Sequence, residues 1–61
     1  MNVLDVLKTM GQMEASSVAY VLGQPVELVY EHLVMCESLG LARVVVQSNR
    51  GGMPYGEWTA A

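Results

Sequence analysis

The stretch from Gly11 to Val46, GQMEASSVAYVLGQPVELVYEHLVMCESLGLARVVV, decides the fold because it contains two helical patterns joined by a very short turn. A helix is predicted over Ala15 to Leu22, since the apolar residues there recur at helical spacing and Gly23 then stops the pattern. Pro25 follows almost at once, and proline suits the first turn of a helix. The residues of the first pattern that should face the core are Ala15, Val18, Ala19 and Leu22.

A shorter helix is predicted upstream of this stretch, ending at Gly11. Asn2 and Asp5 have the spacing of a capping box, with Asp in place of the usual Glu. Between this helix and the next, the link from Gln12 to Glu14 leaves room for one small strand. The apolar residues of the upstream helix are Val3, Val6, Leu7 and Met10.

The last and longest predicted helix runs from about Pro25 to Ser38, and Gly40 closes it. Val29, Leu33 and Cys36 share its core face. His32 borders that face, so we expect a packing residue with one hydrogen-bonded nitrogen. The outward positions of this helix are Glu27, Tyr30, Glu31, Val34 and Ser38.

Two strands are predicted after this helix. Leu41 to Gln47 alternates in the manner of a strand, and Ser48 to Gly52 has the composition of a loop. Met53 to Thr59 can return as the second strand, which Pro54 confines to an edge because proline cannot donate to a ladder. Trp58 should pack this strand onto the core.

The pattern as a whole predicts one α+β domain over residues 1–61, with three helices closed by an antiparallel hairpin. A domain of roughly 60 residues buries only about 60% of its unfolded surface, so its stability is marginal. The apolar share is 52%, above the roughly 45–50% usual for soluble domains. The expected core is Val6, Leu7, Val18, Leu22, Val29, Leu33, Cys36 and Val44.

Charge and cysteine content limit the possible partners and cofactors. The formal net charge is −3, with three cations against six acids, which argues against strong phosphate binding. Cys36 is the single cysteine and His32 the single histidine, so neither an internal disulfide nor a four-ligand zinc site is expected. We expect a cytoplasmic protein with no metal or cofactor and no membrane insertion, because the apolar runs are short and no signal peptide is visible.

The quoted stretch resembles the helix-turn-helix core of bacterial winged-helix regulators. In that family the second helix carries a small-apolar pair and then Leu-Gly, matched here by Val18-Ala19 and Leu22-Gly23. The recognition helix ends in a leucine-rich stretch with Glu, and Gly-Leu precedes the hairpin, or wing, matched by Leu33, Glu37 and Gly40-Leu41. The resemblance covers over half of the chain. It implies a winged helix-turn-helix fold whose third helix enters the DNA major groove.

A narrower likeness links GQMEA and CESLGLARVV to the ferrous-iron transport protein C family, whose members are also tiny bacterial winged helices. That family carries a cysteine cluster in its wing, whereas this chain has no cysteine after Cys36. The likeness therefore implies a shared scaffold. It leaves a role as accessory to a membrane transporter as a third alternative.

Two surfaces are candidates for binding. The third helix has Glu31 where the regulator resemblance implies a basic residue, and it mixes acids with apolar residues, which is typical of protein interfaces. Its candidate partner-binding residues are Glu27, Leu28, Tyr30, Glu31, Val34 and Met35. The hairpin is the cationic region, so the candidate DNA-binding residues are Arg43, Asn49 and Arg50, together with Ser38 of the third helix.

No catalytic constellation is visible. Ser16 and Ser17 have no histidine or aspartate arranged to activate them, and general acid–base chemistry needs a pocket that so small a domain lacks. The leading hypothesis is a dimeric bacterial or phage-type transcriptional regulator that contacts DNA weakly through the wing. The alternative is an adaptor that binds a protein, or a second copy, through the acidic-apolar third helix without contacting DNA.

Overall fold

The computed structural model describes the backbone of residues 1–50 and 53–61 and the side chains of residues 1–45 and 56–61. Three helices precede an antiparallel hairpin, which confirms the α+β class. The elements are α1 (Val3–Met10), α2 (Ala15–Leu22), α3 (Val26–Ser38), β1 (Ala42–Arg50) and β2 (Met53–Ala60). The three helices therefore begin and end within one residue of the predicted positions.

The capping box at the start of α1 is present as predicted. The amide of Asp5 donates to the side-chain oxygen of Asn2 at 2.9 Å, and the Asp5 carboxylate accepts from the Asn2 amide at 3.1 Å. Both bonds satisfy amides that have no partner within the helix. The carboxylate also lies near the positive end of the helix dipole.

Replacing Asn2 with alanine should destabilise the fold by about 1 kcal/mol, because the Asp5 amide loses its acceptor. Urea unfolding followed by circular dichroism measures the difference. Asn2→Asp is the matched control, since it keeps an oxygen acceptor at the same place and should lose little stability. Equal stability of the alanine variant and the parent protein would show that water replaces this cap without cost.

A tight turn joins α2 to α3. Gly23 has φ 65° and ψ 35°, a left-handed conformation that glycine adopts without the clash a Cβ would introduce. The amides of Gly23 and Gln24 donate to the carbonyls of Tyr20 and Ala19, so the last turn of α2 stays hydrogen-bonded. Pro25 is then the N-cap of α3. The short connection holds the two helices against each other.

The hairpin is longer than the sequence predicts. Its register pairs Ala42 with Ala60 and continues to Arg50 opposite Met53, with an irregularity between Val46 and Ser48. The segment Ser48 to Arg50, predicted as loop, is therefore part of β1. Its polar composition is typical of turns, but backbone pairing with β2 determines its conformation. In the sequence, positions 51 and 52 between the two strands are both glycine.

A further strand pairing ties the hairpin to the helices. The amide of Trp58 donates to the carbonyl of Met13 at 2.8 Å, and the Met13 amide donates back at 3.0 Å. The amide side chain of Gln12 also donates to the Glu57 carboxylate at 2.9 Å. The short strand predicted between α1 and α2 is thus present as a single bridge, and it fixes β2 beside the helical layer.

All three helices and both strands contribute to one apolar core. Five of the predicted core residues are buried, while Leu22 and Cys36 are half-buried and pack against the core. Trp58 is also buried, as predicted. The buried residues in the described part of the chain are Val3, Val6, Leu7, Val18, Ala19, Val29, Leu33, Ala42 and Trp58.

Two core predictions are wrong. Val44 is 36% exposed, because Trp58, its partner across the ladder, fills the core at that level and leaves Val44 at the rim. His32 is exposed rather than packed into the core. Its position on α3 adjoins that of Leu33, and the roughly 100° between successive helical residues turns it away from the buried stripe.

Candidate functional site

The outer face of α3 is the candidate site. Val29 and Leu33 are fully buried and fix the rotation of the helix, so the opposite face points to solvent. The five residues predicted to point outward are all exposed: Glu27, Tyr30, Glu31, Val34 and Ser38. We call this surface, together with Val26 and Met35, the outer α3 face.

Two shallow depressions lie end to end on the outer α3 face. The first, of about 500 Å³, is lined by Val26, Glu27, Tyr30 and Glu31. The second, of about 460 Å³, shares Tyr30 and Glu31 with the first and adds Val34, Met35 and Ser38. The structure thus brings together five of the six predicted partner-binding residues. Leu28, the sixth, is exposed but lines neither depression.

Tyr30 lies at the junction of the two depressions and also touches the core. It is 53% exposed, yet its ring meets the Trp58 ring edge-on, with the ring centroids 6.0 Å apart. Edge-to-face ring pairs of this kind stabilise a fold by more than the burial of their apolar area alone would. Sequence reasoning missed this contact, because the two residues lie far apart in the chain and no local pattern links them. The contact holds the exposed tyrosine in place.

The ionic character of the outer α3 face is purely acidic. Glu27 and Glu31 are one turn apart, and the segment Val26–Ser38 contains neither lysine nor arginine. Ser38, a predicted DNA contact, uses its hydroxyl internally by donating to the Met35 carbonyl at 2.7 Å. The same carbonyl also accepts from the Leu39 amide at 3.1 Å, so the Ser38 hydroxyl shares an acceptor within the last turn of the helix.

The predicted DNA contacts on the hairpin are described in part. Arg43 is exposed, on the face of β1 opposite buried Ala42. Its cation therefore points away from the core and is accessible to a partner. The side chains of Asn49 and Arg50 lie outside the described residues, although the backbone of both belongs to β1.

A third, smaller cleft of about 180 Å³ separates the start of α1 from the far side of α3. His32 and Cys36 lie on it one helical turn apart, beside apolar residues of both helices. Cys36 is half-buried and its thiol is free. Among residues 1–50 and 53–61, no three histidine, cysteine or acidic side chains come together in a way that could hold a metal ion.

In the described part of the chain, no helix has both the length and the apolar character needed to cross a bilayer. No protein-family model matches the chain, and no curated protein is similar to it.

Proposed function

We propose that this chain is a winged-helix interaction module, not a catalyst, and that it binds a partner protein through the outer α3 face. The observation that carries the proposal is the composition of that face. Tyr30, Val34 and Met35 remain exposed on a helix whose buried residues are Val29 and Leu33. Apolar surface of this kind, rimmed by charge, is typical of protein interfaces.

The order and pairing of the elements support the winged-helix assignment. Three helices precede a hairpin, α2 and α3 meet through a turn of three residues, and Met13 adds a bridge to β2. In winged helices that bind DNA, α3 is the recognition helix that enters the major groove. Its exposure in this chain agrees with that role.

Electrostatics favours a protein over DNA as the partner of α3. A helix in the major groove lies between two phosphate backbones, and proteins bind there largely by neutralising phosphates with lysine and arginine. Glu27 and Glu31 offer negative charge instead, with no cation on the same helix. Phosphates would be repelled, whereas a neutral or basic protein surface would not.

Site-specific photocrosslinking in the organism that encodes the protein tests the proposal. A benzophenone amino acid at Val34 should form adducts with a partner protein, because this position lines the second depression. The same group at Ser16, an exposed polar residue of α2, is the matched control and should form none. Adducts at Val34 with nucleic acid only, or no adducts, would refute the proposal.

Arg43 supports a second candidate function, weak DNA contact through the hairpin. Its guanidinium is exposed on the outer face of β1, and Arg50 follows on the same strand. Arginines on a wing can contact phosphates or enter the minor groove. The protein would then act as a transcriptional regulator, with α3 free to hold a second copy or another protein.

If the hairpin binds DNA, affinity should be low and should fall with salt at a shallow slope, since few phosphates are neutralised. Titration of mixed-sequence duplex DNA at low salt measures both. The double variant Arg43→Ala/Arg50→Ala should abolish binding. Lys8→Ala removes a cation from the exposed side of α1 and should change little. Binding that survives the double change but is lost in Tyr30→Ala would assign DNA contact to α3 instead.

A further inference from the structure

We infer that the partner presents a basic amphipathic helix, which lies along the outer α3 face with apolar residues in the two depressions and lysine or arginine beside Glu27 and Glu31. This inference rests on the proposed function and adds the chemistry of the partner.

The length of the two depressions sets the length of the partner segment. The two depressions run along one side of α3 from Val26 to Ser38, a span of about 18 Å at 1.5 Å per residue. A helix of about three to four turns matches that length.

The composition of the two depressions favours a helical partner segment. Every described residue that lines the two depressions belongs to α3. The backbone of a helix interior is already hydrogen-bonded to itself, so it offers no partners to an extended peptide. A helix brings its own backbone bonds and needs only side-chain contacts from the groove. Of the described lining, therefore, an amphipathic helix makes better use than an extended strand.

The negative charge of the outer α3 face favours a basic partner segment. The depressions are lined by Val26, Tyr30, Val34 and Met35 around two carboxylates, Glu27 and Glu31. Complementary charge on a partner speeds association and disfavours wrong partners. A second copy of α3 would bring three more carboxylates and no lysine or arginine, so the like charges would oppose each other. The surface thus matches a basic segment of another protein better than itself.

Part of the surface that lines the two depressions is held in place before a partner binds. Tyr30 lies between the depressions and its ring rests against Trp58, which is 5% exposed and hydrogen-bonded through its backbone to Met13. A side chain that is already held in place loses less freedom on binding. Trp58 is the only tryptophan of the chain, so its fluorescence reports events at Tyr30.

The test uses the whole chain and a synthetic peptide of about 14 residues, with leucine at helical spacing and lysine at the other positions. Binding is followed by Trp58 fluorescence and mapped by NMR chemical shifts. Two control peptides replace every lysine with glutamate, or keep the composition and scramble the leucine spacing. We expect the lysine peptide alone to bind, with the largest shifts on the outer α3 face and weaker binding at about 500 mM than at about 50 mM salt.

Matched charge reversals then locate the contact. Glu31→Lys should weaken binding of the lysine peptide by roughly three- to thirtyfold, the size expected from reversing an exposed ion pair. Glu37→Lys makes the same change of charge on the same helix but outside both depressions, and should alter binding by less than about twofold. Circular dichroism of both variants confirms that they remain folded.

Several results would overturn the inference. These are equal binding of the lysine and glutamate peptides, equal effects of the two reversals, shifts centred away from α3, or no binding. A dimer in sedimentation whose contact maps to the outer α3 face would also overturn it, in favour of a second copy. If crosslinking at Val34 captures a protein while the lysine peptide fails to bind, the interaction role stands and only the basic helix is wrong. If crosslinking captures no protein, the proposed function itself fails.

Discussion

Leu33→Ala is expected to remove a large share of the free energy of unfolding. Leu33 has no exposed surface and lies at the centre of α3, between the other helices and the hairpin. Removing its isobutyl group from a closed core costs about 2–5 kcal/mol, from lost burial and from the cavity that remains. At roughly 0.05–0.15 kcal/mol per residue, a chain of 61 residues has about 3–9 kcal/mol of stability in total. The expected loss is therefore comparable with the total free energy of unfolding.

Leu28→Ala is the matched control, because it makes the same chemical change on the same helix at a residue that is 42% exposed. It should cost about 1 kcal/mol or less, since part of the lost burial is offset by the better helix propensity of alanine. Urea unfolding of both variants, followed by circular dichroism, measures the difference. Similar losses in the two variants would contradict the burial pattern of α3.

Trp58→Ala should have an effect of similar size, about 3–5 kcal/mol, because an aromatic side chain leaves a large cavity. Trp58 is where the hairpin, the Met13 bridge and α3 meet. Without its ring, Tyr30 loses its edge-on contact and β2 loses its main anchor in the core. The loss should therefore affect the outer α3 face as well as stability, and NMR shifts of Tyr30 in any remaining folded protein should move.

Two variants test this prediction. Val44→Ala alters the residue that pairs with Trp58 across the ladder, yet it should cost only about 1 kcal/mol because Val44 lies at the rim. Trp58→Phe keeps an aromatic ring and should retain much of the stability. If Trp58→Ala proved no more harmful than Val44→Ala, the hairpin would have to be held by its strand pairing and not by the indole.

The sequence predicted the helices well because their signals are local. Asn2 and Asp5 form a capping box that needs only three residues of chain, and Gly23 ends α2 within one turn. The outer α3 face was also predictable, since helical spacing alone places Glu27 and Glu31 on the side away from Val29 and Leu33. Hydrogen bonds between residues close in sequence and the fixed helical period were enough to predict these features.

The hairpin and its packing needed the tertiary structure. Ser48, Asn49 and Arg50 have turn-like side chains, but pairing with a strand distant in sequence makes them part of β1. Val44 shares the alternation of Ala42, yet Ala42 is 3% exposed and Val44 is 36% exposed, a difference that the sequence pattern does not show. The sequence by itself determined which helices form and where they end, because those features depend on neighbours within a turn or two. The tertiary structure alone decided how far the strands run, which valine is left at the rim and what holds Tyr30, because each depends on groups that meet only when the chain has folded.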